Sequence, residues 1–339
     1  MKETNDLKFD WNICGHKNIV HFLQSAISNS SVAHAYLFVG PAHLGKQTLA
    51  REFIASLLCN ENDLPCRKCV NCNQLKNSVH PDFYTIEKEI NEKTGKLRKE
   101  IVIDQIRDLK GKMQQATLLN GYKVSLITDA HLMNNNASNG LLKLLEEPTK
   151  NTAIILLADN ITGLPQTIVS RCQVIKFLPV ATADIAEYLG SKTIDAKMIA
   201  KQSYGRPGTA LSLASDSEFA KEINDNIDNF FKTMEMDLSN RFMAIDTLID
   251  FDKDEAINAS RLDSLLSDWR TVVRDMMLIK SDNERLISNT NHLPKIKAHA
   301  STLDFPKLRK ILKRMDITGD YIWHNINSKS ALENLIINL

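Results

Sequence analysis

Long apolar runs and net charge are what this sequence lacks. No stretch reaches the roughly 18 uninterrupted apolar residues of a membrane span, and the first residues, 1–6, contain no apolar signal core. The 42 lysines and arginines almost balance the 41 aspartates and glutamates. We therefore expect a cytoplasmic protein without membrane association, whose contacts with nucleic acid are local or made through partners rather than through a basic surface.

Repeats and low-complexity tracts are also absent, which argues against solenoid and disordered classes. The 339 residues are enough for two or three domains, each with its own core. Short apolar runs alternate with helical patterns in the first half: Ala35–Val39, Val124–Ile127, Ala153–Leu157 and Val174–Phe177. Continuously apolar strands separated by helices are typical of a buried, mostly parallel sheet. Leucines 141, 142, 144 and 145, ahead of Pro148, predict an amphipathic helix packed on that sheet.

The pattern changes after Pro179, where helical periodicity dominates and strand-like runs cease. The turn Gly205–Gly208 and the polar stretch Ser215–Glu218 interrupt the helical part. The sequence thus predicts an α/β P-loop-like domain over residues 1–178, a small helical domain over 179–218 and an all-α domain over 219–339. Apolar residues of the last domain, such as Leu262, Trp269 and Val273, are expected to form a bundle core or, in part, to face partners.

The segment Gly40–Lys46, Gly-Pro-Ala-His-Leu-Gly-Lys, follows the first apolar run and precedes a helical pattern. This is the context of a phosphate-binding loop, in which Gly40 and Gly45 let backbone N–H groups surround phosphate oxygens and Lys46 neutralises their charge. The simpler alternative is a glycine turn without a ligand. The Ser or Thr that would bind magnesium is replaced by Gln47, and Thr48 comes one position late.

A second departure from an active ATPase follows the run Val124–Ile127. The position of a metal-binding Asp is Thr128, and the position of a water-polarising Glu is Asp129, which is one methylene shorter. Displacements of about 1 Å can cost a hundredfold in rate at such sites. The three replacements together argue against ATP hydrolysis and leave ATP binding open.

Four of the six cysteines lie close together, as Cys59, Cys66, Cys69 and Cys72. The two-residue gaps allow thiolates to converge on one tetrahedral ion, so the module 59–72 predicts a structural zinc site with no open position for water. Buried cysteines without metal are the alternative. A nucleic-acid reader is a further one, because Arg67 and Lys68 are basic, but the module has no aromatic side chain for base stacking.

Several motifs occur in a fixed order along the chain. They are His34–Pro41, the four cysteines, His80–Asp82, Ile103–Arg107, Leu141–Pro148, Ser170–Cys172, Gly205–Leu211 and the closing segment 325–335. With them the sequence resembles the clamp-loader subunits of bacterial DNA polymerase III, relatives of the AAA+ ATPases, and in particular the delta-prime type. The resemblance implies an AAA+ domain, a helical lid domain and a helical collar domain through which subunits oligomerise.

The resemblance also implies roles for two arginines. Arg171 would be an arginine finger that acts in trans, in the ATP site of a neighbouring subunit, and Arg206 would be the lid arginine that contacts nucleotide in active relatives. The implied partners are the gamma or tau and delta subunits in a pentameric ring, the sliding clamp and, mainly through the assembled complex, primed DNA. The chain would have no activity alone but would belong to the polymerase holoenzyme.

The gamma or tau ATPase subunits share most of these motifs, so a subunit that binds and hydrolyses ATP through Lys46, Thr48 and Asp129 is the alternative. The replacements at Gln47 and Thr128 favour the delta-prime type, because they would disable a motor subunit.

Overall fold

The computed structural model describes residues 7–90, 95, 98–119, 121–190, 193, 195–249, 255–323, 327–337 and 339. Residues 325 and 326 of the closing motif lie outside this set. The chain divides into two compact units, Met1–Tyr188 with Gly205–Gly208 and Leu189–Tyr204 with Thr209–Leu339. The finer division into three domains stays a prediction.

The first unit alternates strands with helices. Its strands are β1 (Lys8–Phe9), β2 (Ala35–Val39), β3 (Asp63–Leu64), β4 (Phe83–Ile86), β5 (Lys123–Ile127), β6 (Thr152–Ala158) and β7 (Gln173–Lys176). Its helices are α1 (Lys17–Ser28), α2 (Lys46–Leu58), α3 (Val70–Lys76), α4 (Ile103–Gln114), α5 (Asn135–Glu146) and α6 (Gln166–Val169). A five-stranded sheet has the order β4-β5-β6-β2-β7, and all its pairings are parallel.

The parallel sheet confirms the prediction from the four apolar runs, which form β2, β5, β6 and β7. The sequence analysis missed β4 at the edge of the sheet, because Tyr84 and Thr85 interrupt its apolar pattern and its side chains are only partly buried. A separate two-stranded pairing joins β1 to β3.

Both faces of the sheet are covered by helices, which explains why its central strands are continuously apolar. Leu37 of β2 packs in the layer formed with α4 and α5, whereas Tyr36 and Phe38 pack on the opposite face with α1 and α2. Neighbouring residues of β6 alternate in the same way. The unit is therefore a three-layer α/β domain.

Helix α5 is the amphipathic helix that the leucine spacing predicted. The side chain of Asn134 caps its start by accepting the N–H of Ala137 at 2.9 Å. Leu141 and Leu145 are buried against the sheet, and the helix ends at Glu146, two residues before Pro148.

A buried ion pair supports the sheet beside β4 and β5. The ammonium of Lys123 donates to the carbonyls of Lys112, Gln115 and Ala116 at 2.9–3.0 Å and lies 4.0 Å from the carboxylate of Asp82. That carboxylate also accepts the backbone N–H groups of residues 118 and 119. Asp82 and Lys123 are both almost fully buried, so each charge depends on its partners for compensation.

The chain after β7 is helical throughout the described residues. The helices are α7 (Thr182–Leu189), α8 (Ala196–Gln202), α9 (Pro207–Ser215), α10 (Ser217–Glu235), α11 (Leu238–Leu248), α12 (Glu255–Lys280), α13 (Leu293–Thr302), α14 (Phe305–Trp323) and α15 (Ser328–Ile337). Long apolar side chains of α12 fill the core of the second unit, and Trp269 donates its indole N–H to the carbonyl of Asn226 at 2.9 Å. The expected bundle core is confirmed. None of the described helices is long and apolar enough to cross a membrane.

We predict that Asp82→Asn destabilises the first unit by about 3–5 kcal/mol, because it leaves the Lys123 ammonium buried without a countercharge. Native-state hydrogen exchange of the β4 and β5 amides measures the loss. Asp104→Asn is the matched control, since that carboxylate is exposed and pairs with Arg107 on α4; its effect should stay within about 0.5 kcal/mol. Equal protection in the two variants would contradict the prediction.

Candidate functional site

The loop between β2 and α2 lies at the carboxyl edge of the sheet and depends on its two glycines. Gly40 has φ +155°, and a Cβ there would come within 2.5 Å of the Phe177 carbonyl oxygen. Gly45 caps α2 with φ +88°, a conformation that side chains rarely adopt. The loop thus has the backbone that a phosphate-binding loop requires.

The side chain of Lys46 is buried, and its ammonium contacts groups of the protein itself. Its Nζ donates to the carbonyl oxygens of Gly40 and Pro41, the latter at 2.8 Å, and to the carboxylate of Asp159 at 2.8 Å. Asp159 directly follows β6, which pairs with β2. Sequence reasoning missed this residue; the available signal was an acid immediately after a buried strand, at the same sheet edge as the loop.

The groups expected to hold magnesium are directed elsewhere or replaced. Gln47 and Thr48 are exposed on the first turn of α2. Thr128 follows β5 and donates its hydroxyl to the carbonyl of Ile86 at 3.3 Å. Asp129 comes next, with φ +49°, ahead of a short 3₁₀ turn. The sheet therefore brings residues 128 and 129 to the loop's edge, but Thr128 contributes no carboxylate there.

His131 is a second residue that sequence reasoning did not place at this site. It is buried, and its Nδ1 accepts the backbone N–H of Asp159 at 3.4 Å. Burial lowers the pKa of His131, while the carboxylates of Asp159 and Asp129 oppose that shift. The neutral imidazole helps to hold the backbone of Asp159 in place.

Arg206 returns to the loop through the turn that follows α8. The N–H of Gly208 donates to the carbonyl of His43 at 2.9 Å, and the N–H of Val180 donates to the carbonyl of Gly205 at 2.8 Å. Partial burial, and next the positive charge of Arg206, lower the pKa of His43. Arg206 therefore belongs to the electrostatic surroundings of the loop.

The four clustered cysteines converge in space. One sulfur from each of Cys59, Cys66, Cys69 and Cys72 lies within 4.8 Å of the other three, so together they could hold a metal ion. Backbone N–H groups point at the sulfurs: that of Cys69 lies 3.2 Å from the Cys66 Sγ and that of Cys72 lies 3.4 Å from the Cys69 Sγ. Donation of N–H groups to sulfur stabilises the thiolate form that a metal requires.

Burial and hydrogen bonds shift the pKa values of three of the four thiols. Burial raises the pKa of Cys59 and of Cys72. Burial also acts upward on Cys69, but hydrogen bonds from the backbone of Asn60 and Cys72 and from neighbouring thiols lower its pKa to about 7. Four thiolates cannot coexist at neutral pH without a compensating positive charge, and a divalent metal supplies one.

Arg67 ties the cysteine module to the rest of the first unit. Its guanidinium donates to the carbonyl of Asp10 at 2.8 Å and to the carboxylate of Glu52 on α2 at 3.2 Å. Arg67 also adopts φ +59° in the turn between Cys66 and Cys69. Because the guanidinium of Arg67 makes these contacts, it is less available for nucleic acid than the hypothesis of a nucleic-acid-binding module requires.

Arg171 lies in the short connection between α6 and β7. Its Nη1 donates to the carbonyl of Thr167 at 3.0 Å, and its Nη2 pairs with the carboxylate of Glu146 at the end of α5, at 2.8 Å. The side chain is 36% exposed. The adjacent Cys172 is largely buried, and burial raises its pKa to about 12. In residues 170–172, the side chain of Cys172 is therefore directed inward, whereas the guanidinium of Arg171 lies at the surface.

Comparison with known sequences connects these features. Residues 15–181 match the family described as "DNA polymerase III, delta subunit". The chain is 26% identical to the DNA polymerase III subunit delta′ of Bacillus subtilis over all of its length and 98% of the relative's. It is 43% identical to the delta′ subunit of Pseudomonas aeruginosa over 41% of this chain and 42% of that protein.

The DNA polymerase III subunit tau of Bacillus subtilis is also similar, at 32% identity over 55% of this chain and 32% of its own. The match to delta′ extends over the second unit as well as the first, whereas the match to tau covers about half of the chain. The chain is therefore similar to the delta′ subunits of bacterial DNA polymerase III, in one relative over its whole length.

Proposed function

We propose that this chain is a non-hydrolysing clamp-loader subunit that supplies Arg171 to the ATP site of a neighbouring subunit and so helps to load the sliding clamp on primed DNA. The observation that carries the proposal is the partly exposed side chain of Arg171, whose guanidinium is held at the surface by Glu146 and Thr167. A guanidinium presented across an interface stabilises the charge that develops on a transferring phosphoryl group.

The local site supports a scaffold rather than a motor. Magnesium between the phosphates of ATP needs an oxygen ligand from the residue after the loop lysine and a carboxylate at the end of β5. Gln47 is an exposed amide, and the hydroxyl of Thr128 is engaged by the carbonyl of Ile86. Neither side chain is suited to hold the metal that phosphoryl transfer requires.

The proposed partners follow from the family. Relatives of this chain are named delta′, gamma and tau subunits of DNA polymerase III, which supports a complex built from related chains. We place this chain in a pentameric ring with gamma or tau and delta subunits, where it contacts DNA mainly through the assembled loader. The near-zero net charge agrees with weak DNA binding by the isolated chain.

Arg171→Ala should reduce ATP turnover of the reconstituted loader, measured with clamp and primed DNA, by about 10³-fold or more at the site that this subunit faces. Arg107→Ala is the matched control, because Arg107 is also an exposed arginine in an ion pair on the same unit. Size-exclusion chromatography verifies that both rings assemble.

Unchanged turnover with an intact ring would remove the trans-acting role of Arg171. ATP hydrolysis by the isolated chain, abolished in Lys46→Ala, would instead favour the alternative of a gamma- or tau-like ATPase subunit.

We further propose that the cysteine module binds one structural zinc ion. The four sulfurs form an all-thiolate set without a position for water, which is the ligand set of structural rather than catalytic zinc. The metal would join the end of α2 to the start of α3 and thereby fix the turn that Arg67 ties to Glu52.

Elemental analysis of the purified chain should therefore find about one zinc ion per molecule. Cys69→Ser should lose most of the zinc and lower the melting temperature by about 5 °C or more, because the metal's binding free energy contributes to folding. Cys172→Ser, which alters a cysteine outside the module, should retain zinc. Equal zinc content in the two variants would exclude the assignment.

A further inference from the structure

The ammonium of Lys46 is saturated by the chain itself. A lysine ammonium has three N–H donors, and those of Lys46 meet three acceptors: the carbonyls of Gly40 and Pro41 and the carboxylate of Asp159. The side chain is only 9% exposed. In a loaded phosphate loop the same ammonium reaches the β- and γ-phosphates. Here every donor is already engaged, and one of the acceptors is an anion.

The position of Asp159 is set by the sheet. Asp159 directly follows β6, and β6 pairs with β2 along the whole length of β2. The N–H of Gly40 donates to the carbonyl of Ala158 at 3.2 Å. His131 accepts the backbone N–H of Asp159 from the other side. The backbone of the loop and of β6 therefore holds the Asp159 carboxylate beside the ammonium of Lys46.

A phosphate that enters this loop has to displace the carboxylate from a largely buried ammonium. It would then lie beside that carboxylate, and two like charges about 4 Å apart repel each other. The missing magnesium ligands explain a lack of hydrolysis, but they do not prevent a nucleotide from binding through its phosphates and the loop backbone alone. The Lys46–Asp159 pair accounts for that separate step.

We propose that Asp159 is an internal anion that takes the place of a nucleotide phosphate on Lys46 and keeps the loop closed to ATP and ADP. Asp159 is thereby the residue that determines ligand exclusion at this site. This inference rests on the proposed non-hydrolysing role and deepens it, since it assigns the exclusion of nucleotide to one side chain.

The test is nucleotide binding by Asp159→Asn. The amide preserves the shape of the side chain and an oxygen acceptor for Lys46 but removes the negative charge. Isothermal titration with ADP in the absence of magnesium should show no binding to the wild-type full chain at millimolar nucleotide. For Asp159→Asn, the same titration should give a dissociation constant for ADP at least tenfold below the weakest binding that the titration can detect.

Two controls identify the cause of any binding. The double variant Asp159→Asn with Lys46→Ala should lose it, because the freed ammonium is what receives the phosphate. Asp104→Asn removes an exposed carboxylate from the same unit and should behave as wild type. Wild-type binding equal to that of Asp159→Asn, or a folded Asp159→Asn without ADP binding, would overturn the proposal.

A measurement on the wild-type chain covers the case in which the variant does not fold. Acetic anhydride labelling followed by mass spectrometry should find Lys46 protected relative to exposed Lys68, and ADP at millimolar concentration should not change that protection. Ready labelling of Lys46 that ADP suppresses would refute closure by Asp159. Neither experiment depends on Arg171, so the ring ATPase assay reports on the proposed function independently of this inference.

Discussion

The parallel pairing of β2 with β6, and of β6 with β5, is the constraint on which the site depends. Because the strands run in one direction, the residues that follow them, Gly40, Asp159 and Thr128, meet at one edge. Backbone hydrogen bonds and apolar packing on both faces hold that edge rigid. The properties of the loop follow from the side chains that the sheet places at this edge.

The charges at this edge differ from those that ATP hydrolysis requires. The carboxylate expected after β5 is missing at Thr128, while a carboxylate after β6, Asp159, pairs with the loop lysine. The charge balance of the pocket is thus satisfied internally. This internal balance is consistent with the role that we propose, a scaffold that supplies Arg171 to a neighbouring subunit.

Arg171 and the cysteine module depend on the framework in different ways. Arg171 is presented by the short connection between α6 and β7, and Glu146 at the end of α5 limits the directions its guanidinium can take. The cysteines lie between the end of α2 and the start of α3. Backbone N–H groups point at their sulfurs, and Arg67 holds the turn between Cys66 and Cys69. Arg171 is the charge that we propose for a partner, and the cysteine cluster is the site that we propose for a structural metal ion.

The sequence by itself determined the parallel sheet, the helical second half and the four-cysteine cluster, because apolar periodicity and ligand spacing are local properties of the chain. It also located Gly40, Gly45 and Lys46 in a loop between a strand and a helix, whereas the role expected of Arg171 came from the family resemblance. It did not find β4, whose burial is incomplete at the sheet edge, nor Asp159, His131 and Glu146. These residues are far from their partners in sequence, so only the strand order decided that Lys46 would meet a carboxylate and Arg171 would meet Glu146.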